Sequence, residues 1–301
     1  MTTDTLQSAE RASPFQHLSG VRKAKNYLAS VLVTCSFLIA LIPLGWLLVT
    51  VVTKGYRALV SERWFTHSLS GVMPEQFAGG IYHALYGSIA QGVMCAIIAI
   101  PLGVFTGIYL AEYGRGWLAR SVTFMVDILS GVPSIVAALF IFALWISVFG
   151  FPKSAFAVSL ALVLLMLPIV IRSTEEMLRL VPDQLREASY ALGVPQWKTI
   201  VKVVLPTAYS GMVTGMMLAM ARVLGETAPV LVLVGYSRSI NYNVFDGNMA
   251  SLPLTIMNEL LNPEPAGVAR MWGAALTLIL LVMIFNLMAA VLSRFSAVKS
   301  S

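Results

Sequence analysis

Three ionisable side chains lie inside long apolar stretches of this 301-residue sequence: Asp127, Arg222 and Glu226. A charge at the middle of a bilayer costs about 2.5–3.5 kcal/mol on the insertion scale. Residues placed there face a packed bundle or a wet path. Arg222 and Glu226 belong to a set, Gly211, Gly215, Ala219, Arg222, Glu226 and Pro229, spaced four, four, three, four and three. At 3.6 residues per turn the set forms one helical stripe. Gly211, Gly215 and Ala219 are small enough for close helix approach. The two charges therefore continue a protein-facing stripe and do not point at lipid.

Two readings are open for this pair. In the first, Arg222 and Glu226 neutralise each other at i, i+4 and lock helix packing. In the second, they form an anion relay along a translocation path. Arginine presents a planar fork that matches a tetrahedral oxyanion and stays charged at physiological pH. Glu226 then holds Arg222 while the path is empty, releases it when an anion arrives, and accepts a hydrogen bond from the proton that phosphate carries and sulfate lacks. Asp127 shares a face with Gly131 and Ser134; it reads as a structural contact between helices or as part of the translocation path, and it needs a partner, with Arg222 or a residue of a sister subunit as the candidates. Arg172 closes the fourth apolar run. It snorkels, pairs with Glu176 at i, i+4, or contacts an anion at an exit.

The elements that position these residues follow from composition. Only 34 residues are charged, 11% of the chain, and 58% are hydrophobic. Soluble domains carry roughly 25% charged residues. That excludes a soluble globular protein and a disordered chain. The net charge of +6 is too dispersed for a nucleic-acid footprint. The class is an all-α, polytopic membrane helix bundle. Six apolar stretches suit a span: Leu28–Thr53, Ile81–Ala111, Ser121–Phe149, Ser154–Ile171, Thr207–Gly235 and Met271–Ser293. Five contain a proline, tolerated where neighbours re-satisfy the backbone. Residues 1–27 form a polar tail, and 28–301 read as one transmembrane domain. The run after the tail is too long for a signal-peptide core and reads as a retained span.

Segments 1–27, 112–120, 172–206 and 294–301 hold thirteen Lys and Arg residues; segments 54–80, 150–153 and 236–270 hold six. The positive-inside rule places both termini in the cytoplasm. In segment 54–80, Trp64 and Phe65 suit a headgroup layer. In segment 236–270, the short apolar run Leu252–Leu261 suggests an interfacial or partly re-entrant helix with a docking surface. Cys35 and Cys95 read as small buried hydrophobes. His83 reads as structural or interfacial, the methionines as packing, and no metal-ligand spacing stands out.

The loop between the fourth and fifth spans holds the most specific spacing. Asp183 can cap a short helix over 183–192, Gly193 can end it in a left-handed turn, and Pro195 can open a second helix. The result is a compact knob or an ordinary linker. The order Glu187-Ala188-Ser189, then Gly193, then Val203-x-Leu205-Pro206 resembles the EAA loop of ABC importer permeases, E-A-A-x3-G-x9-I-x-L-P. Ser189 replaces the second Ala and Val203 the Ile. Residues 108–114, 131–134, 172–182 and 221–229 resemble membrane subunits of Pst-type phosphate importers. Residues 251–254 and the final span look like the A-type of those subunits.

The resemblance implies a type I importer-like permease with cytoplasmic coupling helices in a bacterial inner membrane. It implies a homologous C-type permease partner, two cytoplasmic ATPase subunits and an external phosphate-binding protein. No G-x4-G-K-[ST] phosphate loop occurs in the sequence. The chain is therefore expected to bind no cofactor, with ATP and Mg on the partner ATPases, and to be non-catalytic. Molybdate or sulfate stands as the alternative substrate, and a secondary transporter or channel as the competing class. The spacing of the docking loop argues against that class.

Overall fold

The computed structural model describes residues 20–298, all of whose regular elements are helical. Arg11 and Lys299, counted for orientation, lie outside the described residues. The chain divides into two compact units at the Thr50–Val51 link. The first unit is described over 20–50, the larger part of α1 (Gly20–Leu59). Its side chains from residue 20 to 49, Cys35 included, are exposed, and Thr50 is half-buried. The expected burial of Cys35 is not found, because this helix is apolar around its whole circumference and has no second layer in its own unit.

The second unit is built on α2 (Tyr82–Ile108) and α5 (Ala155–Arg179). A π turn, Tyr109–Tyr113, ends α2. Gly103 and Gly107, one turn apart on α2, sit against Val170 and Thr174, one turn apart on α5; a Cβ on either glycine would overlap the opposing side chain. Small residues at this spacing allow the two backbones to approach, and dispersion contacts then hold them. Cys95, Ala99, Val158, Ala161, Met166 and Val170 form the dry centre of this packing.

The third predicted span is not one straight helix. α3 (Gly116–Ser130) and α4 (Ser134–Ile141, with a π extension Phe142–Val148) meet at 106°. Pro133 is the cause. It lacks an N–H and drives the preceding residue out of the α region. Among the described residues five helices are long and apolar enough to cross a membrane, and six if this bent pair counts as one span.

The fifth predicted span is displaced and broken. Its helix starts earlier, at α7 (Gln196–Thr199), and passes through a π turn at Ile200–Val204 into α8 (Leu205–Leu224). The result is one continuous stretch of 29 residues. Pro206 has no N–H to give, and the wider π turn just before it accommodates the missing bond. The helix stops at Leu224. Pro229 stands in the first turn of α9 (Ala228–Leu233), where its ring would collide with the Gly225 carbonyl if the helix continued.

At the end of the unit away from residues 183–206, α10 (Leu252–Leu260) packs against α2 and α11 (Pro265–Val298). Ser88 Oγ accepts the Leu252 N–H at 2.8 Å and so caps α10 from another helix. Leu252, Thr255 and Glu259 are buried, so this segment is an internal element of the fold. Trp64 differs from the headgroup expectation. It is 2% exposed, lies against Gly273, and donates from Nε1 to Thr277 Oγ1 at 3.0 Å. A slot with a polar partner lets the indole leave the interface. His83 is also fully inside, which removes its interfacial reading.

Candidate functional site

The bend at Gly131–Pro133, the middle of α5 and the end of α8 enclose a cavity of about 330 Å³. Its polar lining is Ser130, Arg172, Ser173, Glu176 and Arg222. At about 30 Å³ per water, this space holds several waters or one tetrahedral oxyanion with part of its hydration shell. The cavity is open on one side, and Arg222 is exposed there. The Arg222 side chain has no hydrogen bond or ion pair among the described residues.

Arg172 is held firmly. One of its amino groups pairs with Asp127 on α3, and the other donates to Glu175 at 3.0 Å. Glu175 in turn accepts from Arg179 at 2.6 Å. The partner of Asp127 is thus Arg172, not Arg222. The helical partner of Arg172 is Glu175 at i, i+3, not Glu176 at i, i+4. Glu176 stays free to line the cavity. An anion placed here would meet one guanidinium whose amino groups are already on carboxylates and one unattached guanidinium able to present a planar fork.

Arg222 and Glu226 do not pair. The helix ends between them, and Glu226 lines a separate pocket of about 10 Å³ with Ser88, Gln91 and Ser251. The predicted single stripe therefore holds only from Gly211 to Arg222. Within it, Gly211 faces Met177 and Gly215 faces Ser173, both at overlap distance for any added Cβ. Ala219 is buried in the core cluster. This close seam between α5 and α8 brings Arg172 and Arg222 to the same cavity.

The 183–206 segment forms an elbow. α6 runs from Asp183 to Ala191, so Asp183 is its first residue and not its cap; Pro182 stands in the cap position. Gly193 has φ +75°, and its N–H bonds the Tyr190 carbonyl at 2.9 Å. A left-handed residue there costs glycine nothing and any other residue about 1 kcal/mol or more. Pro195 caps α7, which continues into α8 instead of forming a second free helix. Ser189 hydroxyl meets Thr199 hydroxyl at 2.8 Å inside the elbow. Glu187 and Ala188 point outward, with Leu185, Tyr190, Leu192 and Trp197 exposed around them. Leu205 and Pro206 line an apolar groove of about 630 Å³ beside α2.

Two residues that spacing did not single out fix this elbow. Arg186 donates to the Glu112 carboxylate at 2.7 Å, to Val181 O at 2.7 Å and to Leu178 O at 2.8 Å. The hydrogen bond to Glu112 is the main reason the Arg186 guanidinium is held above its usual value. The partners are 74 residues apart, and no local pattern signals such a pair. No group of three or more His, Cys, Asp or Glu side chains suited to a metal ion occurs among the described residues.

Comparison with known proteins places this architecture. The fold is shared with a chain of a bacterial ABC transporter involved in the import of the acidic polysaccharide alginate, at TM-score 0.64, 12% identity, 90% of this chain and 96% of that one. It is shared with the methionine transporter MetNI in an inward-facing conformation, at TM-score 0.56, 20% identity, 72% of this chain and 94% of that one. In sequence, the phosphate transport system permease protein PstA of Mycobacterium leprae (strain TN) is 62% identical over 299 residues, 99% of this chain and 98% of that protein. The protein of the same name in Yersinia pestis is 40% identical over 272 residues, 90% of each. Residues 99–297 match the family described as binding-protein-dependent transport system inner membrane component. With its bent third span, its elbow after α5 and these relatives, the chain belongs to that family of importer permeases.

Proposed function

We propose that this chain is one of two permease subunits of an ATP-driven phosphate importer and that the cavity between Arg172 and Arg222 lies on the phosphate path. The unattached Arg222 guanidinium carries the reading. An always-charged fork that opens on a polar cavity and is bonded to no carboxylate is available to an incoming anion. The PstA relatives supply the identity of the anion. Molybdate and sulfate, which share the tetrahedral shape, are the alternatives.

The division of labour follows from the chain's surface. The exposed apolar side chains around Glu187 form a knob that suits a groove on a cytoplasmic ATPase. Two such ATPases would hold ATP and Mg, a homologous C-type permease would supply the other half of the path, and an external phosphate-binding protein would deliver the anion. The basic excess on the 172–206 side supports an orientation with both termini in the cytoplasm of a bacterial inner membrane. Within the path, Glu226 on the far side of the helix break would meet the anion apart from Arg222 and accept a hydrogen bond from the proton that phosphate carries and sulfate lacks.

The test is uptake into vesicles holding the complete importer. ATP-dependent uptake of labelled phosphate, resisted by excess sulfate or molybdate and lost in Arg222→Gln with assembly intact, supports the proposal. Unchanged phosphate uptake in assembled Arg222→Gln removes it. Gradient-driven uptake by this chain alone would support a secondary transporter.

A further inference from the structure

The elbow is joined by the chain itself to α5, through Pro182, and to α8, through the π turn at Ile200–Val204. α2 has no such covalent link to it. Among the described residues, every hydrogen bond from the 183–206 segment to α2 and its π extension ends on one residue, Glu112. Its carboxylate accepts from Arg186 of α6 at 2.7 Å and 3.4 Å. Its backbone carbonyl accepts from Gln196 Nε2 of α7 at 2.9 Å. Both arms of the elbow thus grip the same residue, one by side chain and one by backbone. The ion pair is nearly dry, with side-chain exposures of 15% for Arg186 and 5% for Glu112. Little solvent reaches it to weaken or replace the bond.

The grip is rigid for a second reason. Arg186 directs its other N–H groups to the Leu178 carbonyl in the last turn of α5, to the Val181 carbonyl just past it, and to the Asp183 carboxylate at 3.2 Å. Its guanidinium is therefore fixed at both ends. Glu112 sits in the π turn Tyr109–Tyr113, directly before Gly114 and the turn into α3. A displacement of Glu112 is felt along α2, and through the chain at α3, whose Asp127 holds Arg172.

We propose that Glu112 is a positioning residue for transport: the Arg186–Glu112–Gln196 clamp makes α2 move together with the elbow, so that a push on the elbow reaches the α2–α3 side of the cavity and not only α5 and α8. The inference rests on the reading that a partner ATPase drives the elbow. Without the clamp, the elbow still docks and the ATPase still turns over. The stroke then fails to move the α3 wall, and hydrolysis runs without matched import.

The test uses the complete importer in vesicles, with ATP hydrolysis and labelled phosphate uptake measured on the same sample. Glu112→Ala, which removes the Arg186 arm and leaves the Gln196 bond to the backbone carbonyl, is expected to hydrolyse ATP at near-parental rate while phosphate moved per ATP falls about fivefold or more, the range of a typical coupling energy. Glu112→Gln keeps the shape and one acceptor for Arg186, and is expected to lose about half that ratio. If Glu112→Ala does not assemble, Glu112→Gln decides alone: a reduced ratio supports the clamp. A parental ratio in whichever variant assembles overturns it. Absence of ATP-driven phosphate uptake in the parental complex would instead remove the functional proposal on which the clamp rests.

Discussion

Arg172 on α5 and Asp127 on α3 form an ion pair across the wall of the polar cavity, and Glu175 restrains the same guanidinium from its own helix. One of the two arginines at the cavity is therefore fixed between two carboxylates, while Arg222 opposite is unattached. In the proposed function, the fixed charge would set where an anion rests. The unattached one can follow it.

This difference predicts distinct outcomes for the two sites. Asp127 has a side chain 59% exposed, so its pair contributes about 0–1 kcal/mol to stability. Asp127→Asn is expected to leave the melting temperature in detergent almost unchanged. It frees Arg172 for the anion, so the apparent affinity for phosphate rises and turnover at saturating phosphate falls. Uptake kinetics over a range of phosphate concentrations measure both.

Arg222→Lys keeps the charge and loses the fork. Bidentate recognition is then replaced by a point charge. We expect uptake reduced by about tenfold, corresponding to roughly 1.4 kcal/mol, with assembly intact. Uptake equal to the parent would show that charge alone suffices at this position.

Gly215→Ala places a methyl group on the Ser173 hydroxyl. Overpacking of this kind costs about 1–3 kcal/mol. The variant is expected to melt at a lower temperature, and Ser173→Gly in the same chain to recover most of the loss. A double variant no more stable than Gly215→Ala would show that the seam does not depend on this contact.

The elbow gives a smaller effect. Ser189→Ala removes the buried hydroxyl contact with Thr199, whose hydroxyl keeps only a 3.4 Å bond to the Pro195 carbonyl. The expected cost is about 0.5–1.5 kcal/mol, read as a fall in the melting temperature of the isolated subunit. Gly193→Ala adds strain at a φ of +75° and is expected to cost about the same again.

Tyr236, just past α9, supplies a pH dependence. Burial is the main cause that pushes its phenol from 10.0 up to about 12, with Glu259 adding to it. The neutral phenol is the form favoured by folding. Its contribution is fully present below pH 10 and is lost as pH rises through about 12. Stability should therefore fall over that window by an amount on the order of 2 kcal/mol. Tyr236→Phe should flatten this alkaline limb when unfolding is followed against pH.

The sequence made the helical class, most spans and the elbow legible, because apolar run length, Gly193 and the prolines act locally. Two features were misread where a proline interrupts an apolar run. Pro133 bends the third span, and Pro229 starts a new helix where periodicity continued the old one. The period stays intact across such a break while the geometry does not, which is why Arg222 and Glu226 looked paired. The Asp127–Arg172 and Glu112–Arg186 contacts join residues 45 and 74 positions apart. Only the tertiary packing determines them. Trp64 was misplaced for a related reason: its slot is made by Gly273 and Thr277, far along the chain.

The continuity of α7 and α8 has a mechanical consequence. Gly215, pressed against Ser173, is the tightest point of the seam with α5 and acts as a fulcrum. At 1.5 Å per residue, the arm from Gln196 to Gly215 is about 28 Å long, and the arm from Gly215 to Arg222 about 10 Å. A swing at the elbow therefore reaches Arg222 reduced to roughly a third. In the proposed transport cycle the rod would work as a reducing lever, turning a wide swing of the elbow into a short displacement of one guanidinium.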